Sequence, residues 1–212
     1  KRHHSEVKEK NNNIIDSMFE GMRYIFRTKT ILGAVSLDLF AVLFGGVVAL
    51  VPIFASDILK VGSEGFGMLN AATDIGSMCI ILTLSLFPLK KNQGKILLFA
   101  VAGFGVCIIL FAFSKIFWLS FLLLVISGML DGISVVVRHT ILQLKTPHEI
   151  RGRVLSANSI FINSSNELGQ FESGFMAKVF GVIPSVIIGG SLTILVTLFV
   201  GSQAKELREM EY

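Results

Sequence analysis

Five carboxylates occur where a carboxylate is costly. Asp38 in "SLDLFAVLFGG", Asp74 in "GMLNAATDIGSM", Asp131 in "GMLDGISVVVRH", and Glu167 and Glu172 in "NSSNELGQFESG" all interrupt runs of apolar residues. If those runs cross a bilayer, an Asp near a helix centre costs about 2.5–3.5 kcal/mol, and such residues face a bundle interior or an aqueous cavity. The chemistry open to them there is proton exchange: a carboxylate at that depth can take up a proton on one side and release it on the other. Glu167 is the first candidate for such a coupling group, with Asp38 and Asp131 beside it.

The spacing around Glu167 supports this. Ser159, Asn163, Asn166, Gln170 and Gly174 recur at i, i+4, i+7, i+11 and i+15, one continuous stripe on a helix, with Glu167 at its edge. A loop has no need of that period. Counted from residue 155, Glu167 lies ~18 Å along a helix rising 1.5 Å per residue, near the middle of a hydrocarbon layer. Residues 155–177 are therefore expected to form a cavity-lining membrane helix. Asn163, Asn166, Gln170 and Glu172 become substrate-pathway candidates, together with Asp74. The competing expectation for the amides, Asn158 and Asn166 above all, is a hydrogen bond to a neighbouring helix worth about 1 kcal/mol or less.

The elements that would position these residues follow from hydropathy. The 212 residues are 52% hydrophobic and 16% charged with a mean hydropathy of +0.72, against about 25% charged in a usual soluble domain. Six segments approach the roughly 20 apolar residues that span a membrane: 30–55, 66–88, 96–113, 116–137, 155–177 and 182–201. Of the 19 Lys and Arg, all but Lys60, Lys115 and Lys178 then fall before residue 30, at 89–95, at 138–154 or after 201. Six crossings place that basic set on one side, as the positive-inside rule requires, with both termini cytoplasmic. The net charge of +4 belongs to this rim; without aromatic residues interleaved among the basic ones, it is no signal for nucleic acid. Cys79 and Cys107 stand singly, with no spacing for zinc, a disulfide framework or a redox pair. No metal or cofactor is expected.

Three local features bear on how such a bundle would move. Gly45, Gly46 and Pro52 follow Asp38 and allow close packing or a bend. Arg138 shares a helical face with Asp131, seven residues earlier, too far for direct contact, so both need other partners. In "TPHEIRGRV", Thr146 as N-cap, Pro147 in the first turn and Glu149 three after the cap suggest a capping box, with Arg151 and Arg153 at headgroup level as anchors or as a latch to carboxylates and helix C-termini. "KKNQGK" at 90–95 reads as a basic turn. Upstream, Ile15, Phe19, Met22 and Phe26 define one apolar face of a helix suited to the membrane interface or to a partner domain, after a polar, disordered residue 1–13 segment.

Taken together, "LDLFAVLFGGVVALVPIFA", "GMLNAATDIGSM", "DGISVVVRHTILQLKTPHEIRGRVLSANSIF" and "SSNELGQFESG" resemble the C-terminal six-helix half of a major facilitator superfamily transporter, in the enterobactin-exporter-like, drug-efflux branch. The resemblance implies an all-α polytopic fold: a cytoplasmic linker over 1–29, a six-helix bundle over 30–201 arranged as a three-plus-three inverted repeat, and a cytoplasmic tail over 202–212. It implies a bacterial inner membrane and a missing N-terminal half or a second copy as partner. Arg151, Gly152 and Arg153 match the family's inner-loop motif and, with Arg138, are the cytoplasmic gate candidates; Asn166, Glu167 and Glu172 match the polar segment of the eleventh helix. The expected function is secondary active transport, proton-coupled export of a siderophore or drug-like small molecule by alternating access. A non-transporting remnant or scaffold is the alternative. An intramembrane enzyme built on Asp38 and Asp131 lacks the glycine-flanked aspartate pair or serine–histidine arrangement it would need.

Overall fold

In hydrocarbon every backbone N–H and C=O must be paired internally, which leaves long apolar segments a helix as their only local solution. The computed structural model describes residues 14–89 and 91–203, and its regular structure is helical throughout. The expectations for residues 1–13 and 204–212, and the charges of Lys90, Lys205 and Arg208, lie outside those residues.

A short helix, α1 (Ile14–Arg27), precedes α2 (Lys29–Phe44). The first apolar segment then changes form: a 3-10 turn at Val47–Leu50, a three-residue α3 (Val51–Ile53) and a π-turn at Phe54–Ile58. Adjacent Gly45 and Gly46 have poor helix propensity, and Pro52 has no N–H to return to the carbonyl four residues back. Of the close packing or bend that those residues allow, the structure shows a break in the helix. Then follow α4 (Ser63–Leu86), α5 (Gln93–Phe113), α6 (Phe117–Lys145), α7 (Arg151–Phe180) and α8 (Val182–Gln203). Five stretches are long and apolar enough to cross a membrane: Lys29–Ile58, α4, α5, α6 and α8. At 30 residues α7 is long enough, but its polar stripe leaves it less apolar than those five.

The helices run up and down between two apolar clusters. One gathers Ile25, Ile31, Leu97, Ile141, Leu142 and Val154 near the start of α2 and the end of α6. The other gathers Val51, Phe54, Leu69, Phe111, Leu124 and Val186 at the opposite end, where Phe54 and Phe111 meet at 4.5 Å between ring centroids. The packing is closest between α4 and α6. A Cβ on Gly76 would strike the Val125 carbonyl and one on Gly128 the Thr73 carbonyl, so the two helices approach backbone to backbone, as small-residue seams in membranes do. Ser77 Oγ donates to the Gly128 carbonyl across that seam at 2.8 Å. α7 lays a second small-residue face, with Ser165, Gly169 and Ser173, against α2 and the turn after it.

Two expectations are corrected here. The fourth apolar segment extends to Lys145 instead of ending near residue 137, because Arg138 is buried and paired and does not mark the rim. Thr146 does not cap α7. It closes α6 at φ −106°, ψ 125°, its hydroxyl buried without a hydrogen bond, while residues 147–150 turn and α7 begins at Arg151. On α1, Phe19 and Phe26 are 63% and 58% exposed, while Gly21 and Ile25 are buried. Gly21 presses on the Arg153–Val154 backbone, a contact that requires the absence of a side chain and turns Phe19 outward.

Candidate functional site

Where α2 breaks, a cavity of about 310 Å³ opens. Gly45 and Gly46 form its floor from the interrupted segment, Thr73, Asp74 and Ser77 come from α4, Gly128 and Asp131 from α6, and Asn166 and Gln170 from α7, with Phe104 of α5 closing one side. Asp74 is exposed and Asp131 half-buried. Two carboxylates, two amides and two hydroxyls thus converge from three helices, and among the described residues no Lys, Arg or His lines the space. The arrangement offers acceptors for protons or for polar donors on a small molecule.

Of the residues the sequence marks, Asp74, Asp131, Asn166 and Gln170 are brought together. The others lie elsewhere. Asn163 and Glu167 are exposed, on the face of α7 that turns away from α2, along with Ser159 and Gly174. The polar stripe is therefore one continuous face, but only its Asn166–Gln170 edge reaches this chain's cavity. Glu172 is half-buried beside Ser173, outside the lining. Asn158 is fully buried, yet neither its Oδ1 nor its Nδ2 has a partner, so the expected interhelical hydrogen bond is absent.

Asp38 and Arg138 form their own unit. The Arg138 guanidinium ion-pairs with the Asp38 carboxylate, both side chains are buried, and Ser134 Oγ donates to Asp38 Oδ1 at 3.5 Å. The partner that Arg138 needed is Asp38 on α2, and Asp131, seven residues before it, faces the cavity. The pair joins α2 to α6, and a small separate pocket that shares Val42, Phe104 and Asp131 with the cavity also includes Ser134 in its lining.

The residues at the start of α7 contact α1 and the end of α6. Arg153 ion-pairs with Glu20 of α1, and Arg151 donates to the Thr146 carbonyl at the end of α6, at 3.4 Å. Tyr24 adds a hydrogen bond of 2.6 Å to the Lys145 carbonyl. Gly152 is exposed with open space where a Cβ would be. Thr73, Ser77 and Phe104 were not singled out by sequence. The i, i+4 spacing of Thr73 and Ser77 next to Asp74 was the available signal; for Phe104, inside a uniformly apolar helix, there was none.

Helical segments fit for a membrane, a cavity at a broken helix and a carboxylate lining agree with what comparison finds. Residues 1–212 match the family described as transmembrane secretion effector, MFS_3. The chain belongs to this major facilitator superfamily family. It is also similar to the uncharacterized MFS-type transporter YfmI of Bacillus subtilis (strain 168), 24% identical over 211 residues, which cover 95% of this chain and 50% of that relative. The chain thus spans about half the length of the relative. As a member of the family it is a multi-pass membrane protein.

Proposed function

We propose that this chain forms one six-helix half of a secondary active transporter, with α7 as the sixth crossing, a three-plus-three repeat and both termini on the cytoplasmic side of a bacterial inner membrane. The reading rests on one observation above others: the cavity at the α2 break, lined by Asp74, Asp131, Asn166 and Gln170. Discontinuous helices beside a polar cavity are where transporters of this architecture hold substrate and coupling ion. The free polar face of α7 is the surface on which a second half, or a second copy, completes the passage.

In this reading the cargo is a siderophore or drug-like molecule exported against protons. Asp131 and Glu167 carry the proton, Asp74, Asn163, Asn166, Gln170 and Glu172 line the route, and Asp38 serves through its pair with Arg138. That pair, with Arg151, Gly152 and Arg153, holds the cytoplasmic end closed in one state and yields in the other. The experiment is efflux from inverted vesicles by a protein containing both halves. Asp131→Asn and Glu167→Gln are expected to abolish proton-driven uptake of a fluorescent drug or siderophore while leaving membrane yield and counterflow exchange intact. Undiminished proton-driven transport in both variants removes the coupling assignment.

A further inference from the structure

The aspartates of α2, α4 and α6 do not share one fate. Asp38 has the Arg138 guanidinium against it and accepts a hydrogen bond from Ser134. Asp74 and Asp131, which line the cavity at the α2 break, have neither an ion pair nor a side-chain hydrogen bond among the described residues. No cation of the fold is placed to answer them. Arg138 is held by Asp38 and Arg153 by Glu20, and the remaining Lys and Arg of the described residues stand on α1 or at helix ends. The two carboxylates also share one part of the wall. α4 and α6 touch backbone to backbone at Thr73 and Gly128; Asp74 follows Thr73, and Asp131 stands one turn beyond Gly128. Two like charges in a cleft walled by low-dielectric material focus their field and concentrate ions of the opposite sign.

The rest of the lining suits the same occupant. Ser77 has given its hydroxyl proton to the Gly128 carbonyl at 2.8 Å, so it brings no donor to an anion. Asn166 and Gln170, exposed one turn apart on α7, serve either sign and add carbonyl acceptors for N–H groups. The Phe104 ring, so close to Gly45 that a Cβ there would meet its Cε1, supplies an aromatic face, which attracts both cations and apolar bodies. An anion in this space would meet two unpaired carboxylates; a cation is met by both. Taking the transport reading above as given, with Asp131 exchanging the proton, we propose that Asp74 selects the cargo by charge. The transported molecule is an amine-bearing organic cation, its ammonium on the Asp74 carboxylate and its apolar body against Phe104. An anionic siderophore is refused at the same residue.

Three fluorescent probes of one skeleton separate charge from shape: a dansyl group on a pentyl chain that ends in an ammonium, a hydroxyl or a carboxylate. Their saturable binding to the detergent-purified protein containing both halves is read by fluorescence anisotropy, with no proton gradient present. The expected result is the ammonium probe bound roughly 10- to 100-fold more tightly than the hydroxyl probe, the ratio a charge-assisted hydrogen bond supplies, and the carboxylate probe bound least. Asp74→Asn should bring the ammonium and hydroxyl probes level, and Asp74→Glu should keep their order. Hydroxyl or carboxylate binding as tight as ammonium in the unmodified protein overturns the proposal. So does an ammonium preference that survives Asp74→Asn, or a fall in all three probes alike, which would give Asp74 a structural role. The outcome is separable from that of the transport reading. Selective, Asp74-dependent binding without proton-driven uptake upholds the charge selection and removes the transport reading; Asp131-dependent uptake with equal binding of the three probes does the reverse.

Discussion

Asp38 and Arg138 show how a residue's role depends on what faces it. Each alone is an expensive charge in an apolar helix; together, with Ser134, they form a buried ion pair between α2 and α6. Removing one partner strands the other, so Asp38→Ala or Arg138→Ala should cost about 3–5 kcal/mol, read as a lowered melting temperature in detergent. Replacing both with apolar residues of similar volume, Asp38→Leu with Arg138→Met, should recover most of that loss, since a well-packed apolar pair often matches a buried ionic one. A double variant as unstable as the singles would show that the site demands the ionic pair itself. Sequence exposed both charges but not the pairing, because they lie a hundred residues apart and only the packing of α2 on α6 joins them.

Among the elements, the α4–α6 seam and α1 have opposite characters. The seam has no slack: Gly128 meets the Thr73 carbonyl directly. Gly128→Val should therefore cost about 1–3 kcal/mol by overpacking and reshape the cavity that Gly128 and Asp131 share, a change that thermal melts and the loss of the Ser77–Gly128 hydrogen bond would report. α1 is fastened by few groups, Ile25, the Tyr24 hydroxyl, the exposed Glu20–Arg153 pair and the Gly21 contact. Exposed pairs contribute about 0–1 kcal/mol. Gly21→Leu is expected to release α1 without unfolding the bundle: amide exchange over residues 16–27 accelerates, while the melting temperature holds. A matching fall in melting temperature would mean that α1 belongs to the cooperative core. The amphipathic character of α1 was legible, but its packed face was not, since Gly21 carries no hydropathy signal and decides the contact by being absent.

For the whole molecule, exposure has two meanings, water and lipid. Phe99 on α5 and Glu167 on α7 are both exposed, yet one belongs to an apolar helix and the other to a polar stripe. In a cysteine-free version of the protein in membranes, Glu167→Cys is expected to react with a water-soluble maleimide and Phe99→Cys to stay unlabelled. Equal protection of both would place the α7 stripe against protein or lipid and remove it from the water-filled route.

The sequence by itself determined that the chain is helical and embedded, where five of its apolar segments run, that the segment after Asp38 allows a bend at Gly45 and Gly46, and that polar residues share one face of α7. These are local properties: hydropathy, propensity and a 3.6-residue period are written in consecutive residues. Only the tertiary structure decided that Asp74, Asp131, Asn166 and Gln170 face one cavity while Glu167 stands outside it, that Asp38 neutralises Arg138, and that Thr146 closes α6 without capping α7. Those outcomes depend on how helices rotate about their axes and how closely glycines let them approach, and neither quantity is carried by any single stretch of chain.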